Sequence, residues 1–187
     1  MNKIILASQS PRRKQLLEWA EVPFEIVVKE TDERFPPGLL PDEVAIYIAR
    51  NKALAVQKES GPGQVILAAD TIVVLGENII GKPVHREDAV SILLALSGCT
   101  HKVITGVVIL NGDQEIAFAD TTEVEFHTIS VSEIEFYVDK YKPYDKAGAY
   151  AIQEWIGVVG IKSIHGDFYN VMGLPVSRVV RVLRNLA

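Results

Sequence analysis

Between Val65 and Leu75 the chain reads Val-Ile-Leu-Ala-Ala-Asp-Thr-Ile-Val-Val-Leu, its most apolar run. Such a run is read as a central strand, buried toward both faces. Asp70 stands in the middle, and strand alternation gives it no simple solvent face. An ionised carboxylate there costs several kcal/mol unless it is paired or bound to a metal. Two readings follow. Asp70 is a structural aspartate satisfied by backbone amides at the strand end, or it is a base or metal ligand with Thr71 beside it as a further polar contact.

The second constraint is Ile4-Ile5-Leu6-Ala7-Ser8-Gln9-Ser10-Pro11-Arg12-Arg13. It starts as a short buried strand and ends as a helix entry, with Ser10 as N-cap and Pro11 at the first helical position. A helix N-terminus presents unpaired N–H groups and partial positive charge. Acidic residues are favoured there, yet this one carries Arg12, Arg13 and Lys14. One reading is a phosphate cradle made of the Ser8 and Ser10 hydroxyls, backbone amides and two guanidiniums. The other is a capped surface helix with solvated arginines.

The net charge of −5 argues against a general nucleic-acid binder, so the basic cluster is a local feature suited to a small anion. A hydrophobic content of 48% over 187 residues suits one sizeable domain or two joined lobes. Cys99 has no partner for a disulfide or a CxxC site, and the four histidines show no metal spacing. His101 reads as structural. No apolar segment is long enough to span a bilayer, and the run at Met1–Ala7 stops too early for a signal sequence, so a cytoplasmic protein without a membrane partner is expected.

Helices are expected from Pro11 to Trp19, Pro41 to about Lys58, Arg86 to Leu96, Val131 to about Lys140, and onward from Pro175. Gly61-Pro62-Gly63 ends the second of these, and Ser130 with Glu133 has capping-box spacing for the fourth. Lys52 falls near the apolar side of the second helix. Strands are expected at Phe24–Val28, Val65–Leu75, Ile79–Ile80, Lys102–Leu110, Gln114–His127 and Gly157–Ile161, with Asn111-Gly112 as a hairpin turn. Lys146 to Gln153 reads as a small-residue loop. The mixture predicts an α/β protein with a mixed sheet.

Three further polar residues stand out. Glu33 is a solvated acidic-turn residue, or it completes an oxygen site for Mg²⁺ or Mn²⁺ with Asp70. Lys82, fixed between Gly81 and Pro83, is a surface lysine or a phosphate contact. Gln153 is a surface amide, or its donor and acceptor match the N3–H and O4 edge of uracil or thymine.

Together Leu6–Arg13, Ala69-Asp70-Thr71, Gly81-Lys82-Pro83, Ser97-Gly98 with His101, Thr105-Gly106, Lys146-Ala147-Gly148 with Gln153, Asn170-Val171 and Gly173-Leu174-Pro175 resemble the Maf family of nucleoside triphosphate pyrophosphatases. The resemblance implies a single domain over residues 1–187 without a separate boundary. It implies a mixed, twisted α/β sheet with flanking helices and two lobes around a deep cleft, similar to inosine triphosphate pyrophosphatases. It implies cleavage between the α- and β-phosphates, serving nucleotide-pool sanitation, with a divalent cation. Asp70 matches the proton acceptor. Arg12, Thr71 and Gln153 match the dTTP/UTP subgroup, and Ser8, Arg13, Glu33, Lys52 and Lys82 match other positions of the substrate pocket. Modified pyrimidine triphosphates fall within that reading, and a homodimer is common in the family. The alternatives are the same reaction on another base, such as 7-methyl-GTP, and a nucleotide-binding regulator of septum formation or cell division.

Overall fold

The computed structural model describes residues 3–61 and 63–186. Met1, Asn2, Pro62 and Ala187 lie outside them, and with these the start of the signal-like N-terminus and the proline of the Gly61–Gly63 break. The described residues form β1 (Ile4–Leu6), α1 (Pro11–Trp19), β2 (Phe24–Ile26), α2 (Pro41–Gln57), β3 (Val65–Leu75), β4 (Asn78–Ile80), α3 (Arg86–Leu96) and β5 (Thr100–Asn111). They continue with β6 (Gln114–Phe126), α4 (Val131–Tyr141), a 3-10 turn (Ala147–Ala149), α5 (Trp155–Gly160), β7 (Ile161–His165), α6 (Phe168–Met172) and α7 (Val176–Arg184).

The strands form one mixed sheet of order β2-β1-β3-β5-β6-β7, with β4 paired to β3. β1 runs parallel to β2 and β3, while β4 on β3 and β7 on β6 are antiparallel. The chain divides into two compact units. The first holds residues up to Thr71, Thr105–Asp120 and the segment from Gly173 on; the second holds Ile72–Ile104 and Thr121–Met172.

In the first unit α2 lies on the sheet. Its buried residues Val44, Ala45, Ile48, Ala49, Ala53 and Val56 form one stripe. Ala49, Ala53 and Val56 share a core cluster with Ile5 and Ala7, Ile66 and Ala68, and Val108 and Leu110. Alanines on the stripe let helix and sheet approach closely, most tightly at Gly106, where a Cβ would come 2.3 Å from the Ala45 carbonyl carbon. Pro41 opens α2, and the Leu40 N–H donates to Glu43 Oε2 at 2.8 Å.

In the second unit α3 packs against α4. Ser130 caps α4 through the expected box, its hydroxyl accepting from the Glu133 N–H while Glu133 accepts from the Ser130 N–H. His101 is buried, and its Nε2 lies 2.7 Å from Tyr150 Oη. Both rings meet Phe126 edge-on.

Three expectations need correction. Gly157–Ile161 is not a strand: α5 covers Trp155–Gly160, and the strand begins at Ile161. The Gly157 N–H and the Val158 N–H both donate to the Glu154 carbonyl, which closes a helical turn where apolar content alone suggested a strand. The strand at Phe24 ends at Ile26, where its pairing with Leu6 stops. Part of the Lys146–Gln153 loop is the 3-10 turn.

Two tests follow from this packing. Gly106→Ala forces backbone apart and is expected to cost about 3 kcal/mol; a denaturation midpoint unchanged from wild type would contradict the close approach. Burial pushes the His101 imidazole down from 6.5 to about 4. The unfolded ring takes its proton near pH 6.5, so this contribution is whole above that pH and is lost as pH falls toward 4. The loss reaches about 3 kcal/mol. Wild type should therefore lose more stability than His101→Gln between pH 7 and pH 4.5 in urea melts, and parallel curves would refute the assignment.

Candidate active site

The first unit gathers most of the candidate residues around the end of β1 and the middle of β3. β1 delivers Ser8 to the turn before α1. There the Ser8 hydroxyl accepts from the Ser10 N–H at 3.2 Å, and the Ser10 hydroxyl accepts from the Arg13 N–H at 3.4 Å as the N-cap. Arg13 is buried on the inner side of α1, with only 8% of its surface exposed. Its guanidinium donates Nε–H to the Gly173 carbonyl at 2.7 Å, Nη1–H to Ser8 Oγ at 3.1 Å, and Nη2–H to Thr71 Oγ1 at 3.0 Å. Thr71 Oγ1 is also 2.9 Å from Thr105 Oγ1.

One planar fork thus ties the turn after β1 to β3 and to the backbone leading to α7, and the Thr71 hydroxyl carries the link on to Thr105 of β5. All three acceptors are neutral, so the positive charge is balanced through space. Burial lowers the Arg13 pKa from its ordinary value. The Asp70 charge opposes that, Arg12 adds to it, and Glu33 opposes it. Arg12, beside it on the helix, is half-buried.

Lys52 reaches across from α2. Its Nζ lies 2.7 Å from Asp70 Oδ1 and 2.8 Å from Glu33 Oε1. The Asp70 side chain is 13% exposed, that of Lys52 19%, and that of Glu33 48%. The carboxylate in the apolar strand is therefore paired, and its partner comes off α2 at the edge of the buried stripe, four residues after Ile48 and four before Val56. Truncating one member of so buried a pair typically costs about 3–5 kcal/mol.

The arrangement is a cluster of alternating charge: Arg12 and Arg13 on a helix start, Asp70 and Glu33 as carboxylates, and Lys52 between the two acids. Its donors suit an anion. Its acceptors are hard oxygens, which suit Mg²⁺ or Mn²⁺ rather than a thiolate- or imidazole-loving metal. Among the described residues no three His, Cys, Asp or Glu side chains gather as a metal centre of their own.

Lys82 and Gln153 belong to the second unit, and both are exposed. Lys82 follows β4, and Gln153 follows the 3-10 turn. Their segments are joined by the Gly148 N–H donating to the Gly81 carbonyl at 3.2 Å. His101 keeps the structural role expected of it: Nε2 is engaged by Tyr150, and the buried Nδ1 has no hydrogen-bond partner, Cys99 included.

Reasoning from single residues gave no place to Thr105 or to the Gly173 carbonyl. Thr105 had a usable signal, a lone hydroxyl in the apolar stretch Val103–Leu110, and the structure buries it fully. The Gly173 carbonyl had none, since every residue has a backbone oxygen.

A sequence model of the family described as Maf-like protein matches residues 3–186. A protein of Cytophaga hutchinsonii named dTTP/UTP pyrophosphatase is 51% identical over 98% of this chain and 84% of its own length. One of the same name from Parabacteroides distasonis is 46% identical over 98% and 95%. Among solved structures, the Staphylococcus aureus Ham1 protein superposes over the whole of both chains with a TM-score of 0.55 at 16% identity, a likeness of fold.

Arg13→Lys tests the strut. An ammonium cannot reach three acceptors in one plane, so the variant should lose about 2 kcal/mol without any ligand present. That corresponds to a melting temperature lower by about 4–8 °C. An unchanged melting temperature would mean that the fork carries no structural load.

Proposed function

The chain belongs to the Maf-like protein family, and from that we propose that it hydrolyses dTTP and UTP, with modified pyrimidine triphosphates as further candidates, to the monophosphate and pyrophosphate. The observation that carries the reading is the Lys52–Asp70 pair, a carboxylate and an ammonium held 2.7 Å apart in an apolar strand environment beside a basic helix start. The names of the full-length relatives support the substrate. The family match running from residue 3 to residue 186 supports reading the chain as one domain.

Hydrolysis adds water across the α–β phosphoanhydride. The water oxygen bonds to phosphorus, the bridging oxygen leaves with the other phosphoryl group, and the water gives up a proton. Asp70 accepts that proton. Lys52, already beside it, brings positive charge to the phosphates as negative charge builds on the leaving pyrophosphate. Arg12 and Lys82 add to that charge. Ser8 and Arg13 keep the turn before α1 in the shape that presents its amides to phosphate. Thr71 fixes Arg13 from the strand side, and Gln153 reads the pyrimidine edge.

Asp70 and Glu33 are the residues that would hold Mg²⁺ or Mn²⁺. Bound there, the cation neutralises triphosphate charge. A pocket gains only about 1–3 kcal/mol from one methyl group, so accepting both thymine and uracil is consistent with a single site. The partner in this reading is free nucleotide in the cytoplasm, and the activity clears nucleotides from the pool. No described helix is long and apolar enough to cross a membrane.

The test compares wild type and Asp70→Asn with UTP, dTTP, CTP, GTP and 7-methyl-GTP in Mg²⁺, scoring pyrophosphate and monophosphate. Wild type should favour UTP and dTTP. Asp70→Asn should lose about 10²–10⁴-fold in turnover while still binding UTP by calorimetry. Release of inorganic phosphate and UDP, or full turnover without the Asp70 carboxylate, would overturn the proposal.

A further inference from the structure

We propose that Tyr137 is a positioning residue for base selection, its hydroxyl clipping the chain on both sides of Gln153. The proposal rests on the reading of Gln153 as the contact to the base. Tyr137 lies on α4 and is fully buried. Its Oη accepts from the Ala151 N–H at 3.2 Å and donates to Glu154 Oε2. One hydroxyl thus holds the residue two before Gln153 and the residue just after it. Lys146, 8% exposed, brings its Nζ within 3.6 Å of the other Glu154 oxygen. Ala151 and Ile152 are buried, while Gln153 is exposed. The hydroxyl thus holds the backbone at Ala151 and the side chain of Glu154, whose own N–H donates to the Ala151 carbonyl at 3.1 Å, and the Gln153 amide projects from between them.

The fixing has a chemical purpose. A glutamine amide offers a donor beside an acceptor, which fits the acceptor–donor edge of uracil or thymine. Turned by half a rotation, the same amide fits the donor–acceptor edge of cytosine equally well. Residue type alone therefore does not select between them. Selection needs the amide delivered to one position and orientation against the base, which is a property of the backbone that carries it. The segment spends energy to hold that backbone. Gly148 and Ala149 both have positive φ, 71° and 59°, and a side chain at Gly148 would meet Val73 Cγ2 at 2.9 Å. Ala149 has no glycine freedom, so its left-handed conformation persists only because the surroundings impose it.

Tyr137→Phe keeps the ring and its stacking on Tyr141 and deletes only the clip. The readout is the ratio of kcat/KM for UTP over CTP, with kcat and KM resolved separately. Tyr137→Phe should lower the ratio about 10–100-fold, mainly by raising KM for UTP, with the two triphosphates converging. A residue that only supported the fold would lower both activities together and leave the ratio unchanged. Glu154→Ala should lower the ratio in the same way from the other end of the clip, which keeps the proposal testable if Tyr137→Phe folds poorly. Gln153→Ala should abolish the preference, and adding Tyr137→Phe to it should change the ratio no further. If Gln153→Ala keeps the preference, the reading of Gln153 fails and the clip falls with it. If Gln153→Ala loses it while Tyr137→Phe and Glu154→Ala keep it, the clip alone is refuted. A further fall in the double variant would also refute it.

Discussion

The pairing of Asp70 with Lys52 is the interaction on which the first unit depends. Strand β3 can be apolar on both sides of Asp70 only because α2 supplies an ammonium at 2.7 Å. That in turn dictates where α2 lies. Lys52 must come off the helix at the edge of the buried stripe, and the Gly106–Ala45 approach brings helix and sheet close in that same unit. Buried ion pairs seldom add net stability, because desolvation offsets their attraction. Retaining one in the middle of a core strand makes sense when the charges are needed for chemistry. Arg13 extends the same logic: its burial is opposed chiefly by the Asp70 charge.

Elements whose signals are local were legible in the sequence. The Ser10 cap with Pro11 gave α1 its start, the Ser130–Glu133 box gave α4 its start, and β3 kept the bounds of its apolar run. Gly157–Ile161 was misread because Gly-Val-Val-Gly-Ile carries no period, and a short apolar run bounded by glycines suits strand and helix alike. The Glu154 carbonyl decides it by accepting two successive N–H groups, and Val158 ends up 79% exposed. Nothing in residue type announces which carbonyl will be available.

The site divides along similar lines. Asp70 and the basic helix start stood out because each breaks a local rule: a charge in an apolar strand, and cations where a helix prefers anions; Lys52 by itself read as a helix-face lysine. What was not legible is who satisfies whom. The fork of Arg13 on Ser8, Thr71 and the Gly173 carbonyl joins residues up to 160 positions apart. The hydroxyl of Thr71 read as an adjunct to Asp70, yet it bonds Arg13, Thr105 and the Gly173 carbonyl. Spacing cannot express such contacts, because they exist only once β1, β3 and β5 are side by side.

The two units hold their candidate residues by different physics. In the first, Asp70, Lys52 and Glu33 hold one another by Coulomb attraction, while Arg13 adds directional bonds to neutral acceptors. Attraction of that kind is strong but tolerant of direction, which suits a triphosphate whose oxygens present charge over a wide solid angle. In the second, Gln153 is neutral, and the chain beside it is held by the Tyr137 hydroxyl, which bonds the Ala151 amide and the Glu154 carboxylate, with Lys146 facing that carboxylate. A neutral base edge offers no charge to attract, so discrimination there must come from angle and position. On the proposed reading, the chain both holds phosphate and chooses a base, and those two tasks call for different kinds of support. Charge alone would bind every triphosphate alike, and hydrogen-bond geometry alone would leave the leaving group without stabilisation.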